Sequence, residues 1–210
     1  MPSSLTTLVD AHAIVRLHDE CTRQWHVTTS ALPDRAIPEA PVNLERLVEA
    51  QHAANYRLWH AEDEARHPDA GDGSLAAVKR EIDRVNQQRN DLTEQIDALL
   101  LASLLESAGE QHSETPGMII DRMSIMSLRL FHTREEMERE DAPPSHRERN
   151  CSRWSTIEAQ RRDLTACLDR LWAQICAGKR HFKQYRQLKM YNDPELNPVI
   201  YQSGKRSGRA

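Results

Sequence analysis

The chain has 210 residues, 28 of them basic and 32 acidic, for a formal charge of -4; 29% are charged and 39% hydrophobic. That length can bury a real core, and the acidic balance gives no pull toward nucleic acid or an anionic membrane surface. With a mean hydropathy of -0.72 and no apolar run of about 18 residues, a transmembrane span is excluded. Met1–Val15 has neither the basic start nor the apolar core of a signal peptide. Cys21, Cys151, Cys167 and Cys176 form no CxxC pair, so reduced thiols in a cytoplasmic protein are the expectation.

Proline and glycine fall in tight groups, and between them the apolar residues recur at three and four, with no segment showing the alternation of a half-buried strand. The spacing predicts helices near 4–27, 43–67, 74–108, 117–140, 145–177 and 179–190, an all-α chain. Thr115 before Pro116 reads as an N-cap with proline at the first helical position, Ser145 with Glu148 as a capping box, and Gly178 as a stop. The helix near 117–140 is apolar almost all round (Ile119, Ile120, Met123, Ile125, Leu128, Leu130) and is expected at the centre. From Gly178 the chain turns basic with interleaved aromatics (Lys179, Arg180, Phe182, Tyr185, Arg186). On one short helix this reads as a solvated face, with nucleic acid the weaker alternative. The turn formers that follow suggest an extended strap packed on the bundle, and 202–210 a disordered tail.

Sliding the chain against itself exposes a repeat at an offset of 72. Arg57-Leu58-Trp59-His60 matches Arg129-Leu130-Phe131-His132, and Gln88-Arg89-Asn90-Asp91-Leu92-Thr93 matches Gln160-Arg161-Arg162-Asp163-Leu164-Thr165. Asp97 and Leu99 then match Asp169 and Leu171. Shared heptads explain matched leucines but not matched His, Arg, Asp and Thr, so the middle of the chain is a duplicated helical hairpin, about 43–108 and about 115–177. Two such hairpins bury their stripes as a helical bundle, in one domain covering 1–201. The first helix carries a faint third echo, Arg23-Gln24-Trp25-His26, and is expected to pack alongside.

Several polar residues stand where an apolar seam leads one to expect none. Arg89 interrupts Val78, Ile82, Val85, Leu92, Ile96, and Arg161 interrupts Trp154, Ile157, Leu164, Leu168. A guanidinium there either pairs with a nearby carboxylate or holds an anionic ligand bidentately. Arg89, Asp91, Arg161 and Asp163 are the candidates for the second role. His60 has Asp63 and Glu64 on its helix face, and His132 has Glu135 and Glu136. These are the donors of a divalent-metal site or an acid–base pair, and equally of a surface ion pair. The position of Asp121 leaves two geometries open. A two-fold axis across the helices brings Asp121 to His60, whereas an axis along them brings His60 to His132.

The stretches Leu58–Asp63, Ile82–Arg89, Glu114–Ile125 and Lys189–Pro198 resemble a bacterial family catalogued as domain of unknown function 4254. The resemblance implies an intracellular helical protein with no established activity, whose members are often encoded beside glycosyltransferases of surface-polysaccharide assembly. Carried over by position, it points to His60, Asp83, Arg89, Thr115, Asp121, Arg122, Asn192 and Asp193. Two functions compete. In one, a polar cleft between the repeats binds a small anionic ligand such as a sugar phosphate or nucleotide sugar, or a divalent metal. In the other, the protein is a non-catalytic partner of a polysaccharide-assembly enzyme, its polar groups satisfying one another.

Overall fold

In the computed structural model, the described residues are 7–28, 43–104, 108–186 and 195–198. Asp10 opens the first helix by accepting the Ala13 N–H at 2.8 Å. Helix α1 therefore runs Ala11–Val27, and residues 7–10, expected to be helical, precede it. Asn43 caps α2 (Leu44–Ala65) in the same way, and α3 follows as Asp72–Ala102. Thr115 accepts the Met118 N–H at 3.2 Å, and Pro116, with no N–H to satisfy, is the first residue of α4 (Pro116–Glu138). The expected capping box at Ser145 does not form. Helix α5 (Pro144–Cys176) starts one residue earlier on Pro144, with no side-chain cap bond, because the residue at its cap position, Pro143, has no side-chain oxygen to accept an N–H of the first turn.

The C-terminal segment departs from expectation. Gly178, at φ +66°, ends α5, and Arg180–His181 (β2) then pairs in parallel with Glu110–Gln111 (β1) instead of continuing as a helix. Glu110 N–H donates to the Lys179 carbonyl at 3.0 Å and His112 N–H to the His181 carbonyl at 2.8 Å. Phe182 is buried behind them. These backbone bonds and the buried Phe182 ring favour the extended path over the helix that the spacing predicts near 179–190. Asn192 and Asp193 lie outside the described residues, as does the rest of the strap apart from 195–198, and so does the tail 202–210.

Helix α4 touches all four other helices and is the central one. Val48, Val85, Leu92, Ile96, Ile120, Met123, Leu168 and Trp172 form a continuous, fully buried core, each large apolar side chain contributing about 1.5–3 kcal/mol. His52 meets Ser124, and His60 meets His132, both pairs 72 residues apart. Equivalent positions touching at two heights means that α2 and α4 run parallel, with the pseudo-two-fold along the helices. Of the two geometries left open above, this is the second. His18 stacks on His52 and His26 packs on His60, both 34 apart, so α1 is parallel to α2 as well. Helix α1 is antiparallel to α5, with Ala11 against Asp169 and Asp19 against Arg161.

Candidate functional site

A ladder of buried polar groups crosses the bundle where α1, α2 and α4 meet. Thr22 Oγ1 donates to the His18 carbonyl at 2.8 Å, so its lone pair faces His52 Nε2, also 2.8 Å away. His52 Nδ1 then accepts the Ser124 hydroxyl at 2.8 Å. Asn55 Nδ2 donates both to Ser124 Oγ and to Asp121 Oδ1, each at 2.9 Å, and Gln51 donates to the same Asp121 oxygen. One tautomer satisfies every link, with the His52 proton on Nε2. Burial pushes His52 down to about 3, so it stays neutral. Burial raises Asp121 against the pull of Arg89 and Asn55.

Arg89 lies at the junction of two recesses. One, of about 590 Å³, lies between α2, α3 and α4 and includes Asn55, Trp59, Asp63 and Asn86. The other, of about 280 Å³, includes Asp97, Thr115, Asp121 and Arg122. The larger recess has a repeat-related counterpart of about 600 Å³ around Arg161. Asn55, Leu58, Trp59, Glu62, Asp63 and Arg89 become Ser127, Leu130, Phe131, Arg134, Glu135 and Arg161, and α1 stands where α4 stands in the first. The duplication has thus built one cleft twice, and Arg89 and Arg161 face separate spaces rather than a shared one.

The twin arginines differ in their partners. Arg161 Nη1 donates to both oxygens of Asp19 at 2.7 and 2.8 Å. Arg89 Nε, by contrast, is buried without a hydrogen-bond partner, 3.8 Å from Asp121 Oδ1. The carboxylate beside Arg161 is Asp19 on α1, whereas the one beside Arg89 is Asp121 on α4, and Arg89 Nη2 donates to Asn90 Oδ1 at 3.4 Å.

The repeated aspartates Asp97 and Asp169 were matched by sequence but not singled out. Asp97 accepts the Gly117 N–H at 2.8 Å, at the start of α4, and Asp169 accepts the Ala11 N–H at 3.1 Å, at the start of α1. Each places a carboxylate on the positive end of a neighbouring helix. Burial raises Asp97 to about 6 despite the opposing bonds from Thr115 and Gly117.

Three imidazoles gather at the far end of the ladder. The rings of His26, His60 and His132 lie 5.0–5.7 Å apart, centroid to centroid. One nitrogen from each lies within 4.8 Å of the other two. Each comes from one copy of the Arg-x-Trp/Phe-His echo, so the faint echo in α1 was the signal for the missing member. Phe131 stacks on His26, Trp59 on His132, and Tyr56 meets His26 and His60 edge-on.

The acids expected beside the histidines divide. Glu135 Oε2 accepts His132 Nδ1–H at 2.8 Å. Asp63 is exposed, yet its charge acts on both His60 and His132. Glu136 is drawn instead to Arg139 at 2.9 Å and His146 at 2.6 Å, and Glu64 is exposed; neither belongs to the cluster. Burial pushes His60 and His132 down, favouring neutral rings. Of the remaining candidates, Asp83 pairs with Lys79 at 2.6 Å, Asp91 accepts from Gln87 at 2.7 Å, and Asp163 is exposed. Arg122 pairs with Glu114 at 2.5 Å, and Thr115 serves as the cap of α4.

Residues 45–184 match the family described as "Protein of unknown function (DUF4254)". No curated protein and no solved structure matches the chain. Among the described residues no helix is long and apolar enough to cross a membrane.

Proposed function

The chain belongs to this family, and from that footing we propose that it binds a small anionic molecule of the sugar-phosphate or nucleotide-sugar class in the cleft at Arg89. The observation that carries the reading is the unequal pairing of the twin arginines. Arg161 is neutralised by both oxygens of Asp19, while Arg89 keeps a buried Nε with no hydrogen-bond partner and its carboxylate neighbour at 3.8 Å. A guanidinium in that state retains donors for the oxygens of a phosphate or carboxylate, which it can meet bidentately. Trp59 offers the same recess an apolar surface, and Asn55, Asn86 and Asp63 offer hydrogen-bonding groups suited to hydroxyls. The choice of sugar derivatives also follows the gene neighbourhood that the family resemblance implies.

The test is a calorimetric titration with inorganic phosphate, a hexose 1-phosphate and a uridine diphosphate sugar. It uses wild type, Arg89→Gln and Arg161→Gln. At least one phosphosugar should bind wild type and Arg161→Gln, with affinity falling roughly 10–100-fold in Arg89→Gln. Silence of wild type across the panel overturns the proposal. It would favour the partner-protein reading, in which the polar groups are structural and a helical face docks another enzyme.

A further inference from the structure

The duplication and its third echo deliver three histidines to one point. We propose that His26, His60 and His132 form a divalent-metal site of the open, three-imidazole kind, its fourth position left for water or a small ligand.

Four observations carry this. First, one nitrogen from each ring lies within 4.8 Å of the others. A tetrahedral ion with metal–nitrogen bonds of about 2.0–2.1 Å holds its ligands roughly 3.3 Å apart, so small ring movements close the site. Second, Nε2 of His26, of His60 and of His132 are all buried without a hydrogen-bond partner. Leaving three such groups unsatisfied is costly, and one cation would satisfy all three. Third, two of the rings are held from behind as metal ligands are. His26 Nδ1 donates to the Thr22 carbonyl at 2.7 Å and His132 Nδ1 to Glu135 Oε2 at 2.8 Å, which leaves the lone pair on Nε2 in each. Fourth, Asp63 and Glu135 act electrostatically on the cluster and would offset part of a dication's charge, while Tyr56, Trp59 and Phe131 wall it with rings.

The donor set names the metal class. Three neutral imidazoles suit Zn²⁺ and its first-row neighbours and are poor ligands for Mg²⁺ or Ca²⁺, which demand oxygen. Three protein ligands with an open fourth position are the arrangement of catalytic rather than structural zinc sites. This inference does not depend on the ligand proposed at Arg89, and either can fail alone.

The test begins with wild-type protein stripped by a chelator and titrated with Zn²⁺ while imidazole ¹⁵N resonances are followed. One equivalent should shift three Nε2 resonances, with Nδ1 of His26 and His132 staying protonated, and Mg²⁺ should shift none. In Co²⁺ titrations, Glu135→Gln should weaken binding roughly 10–100-fold and each of His26→Ala, His60→Ala and His132→Ala by more. His146→Ala, whose ring bonds Glu136 outside the cluster, should leave binding unchanged. If no histidine nitrogen shifts in wild type, or if binding persists undiminished in all three histidine variants, the cluster is aromatic packing and the proposal falls.

Discussion

His52 and Ser124 hold the same position in the two repeats and hydrogen-bond to each other at 2.8 Å. A pair of equivalent positions in direct contact marks the local two-fold axis, and here it is filled by an imidazole in one copy and a hydroxyl in the other. Because His52 is neutral and wholly buried, Ser124 is the donor its Nδ1 needs. Ser124→Ala should therefore cost about 1–3 kcal/mol in urea unfolding. An unchanged midpoint would mean that the ladder is not a single connected network.

His18 is the opposite case. It is fully buried, and neither ring nitrogen has a hydrogen-bond partner. His18→Leu should be neutral or stabilising by roughly 1–2 kcal/mol at pH 7.5, since it removes two unsatisfied groups at similar volume. Burial, then His52, hold its folded pKa well below 6.5, so its contribution is present above that pH and lost on acidification. The variant should show a shallower loss of stability below pH 6.5, by up to about 1.4 kcal/mol per pH unit. A variant less stable at pH 7.5 would give His18 a partner that this packing does not.

Asp97 titrates in the other direction. Its folded value, raised by burial to about 6 from 3.8, means its contribution is full below about 3.8 and declines as pH rises to about 6. Asp97→Asn keeps an oxygen for the Gly117 N–H and removes the charge. It should be more stable than wild type at pH 7.5 by at most roughly 3 kcal/mol, the difference closing below pH 4. Thermal unfolding of both proteins from pH 3.5 to 8 reads this directly, and a difference independent of pH would contradict it.

Gly109 and Gly178, both at positive φ, should respond differently to the same change. At Gly178 (φ +66°) an added Cβ meets nothing, so Gly178→Ala costs only the left-handed backbone, about 1–2 kcal/mol. At Gly109 (φ +87°) the Cβ would lie 2.2 Å from the Lys179 carbonyl carbon and oxygen. Gly109→Ala must therefore also separate β1 from β2 and should be the more destabilising of the two in chemical denaturation. Equal losses would mean that the two segments are not held together in solution.

The fold was legible where the physics is local. Proline and glycine positions placed most ends of five helices within two residues, and all-round apolarity marked α4 as the centre. The first helix, however, starts at Ala11 instead of near 4, α3 ends at Ala102 instead of near 108, and the sixth expected helix is not helical over 180–186. Arg89 and Arg161 stood out because a cation interrupts a seam. What was hidden depended on which helices lie side by side. The echo ending in His26 was visible, but only the parallel placement of α1 beside α2 turns it into a third member of the cluster. Asp97 and Asp169 looked like repeat identities and nothing more, because their partners are backbone N–H groups of other helices. The β1–β2 clasp is two residues long and leaves no periodicity to read.

Three repeat-derived histidines, His26, His60 and His132, are expected to meet at one cation. Crystals grown with Zn²⁺ and measured on both sides of the zinc absorption edge test it most directly. The expected result is a single anomalous peak about 2.0–2.1 Å from Nε2 of His26, His60 and His132. A map with no peak among those rings, or with its peak at surface carboxylates instead, would contradict it.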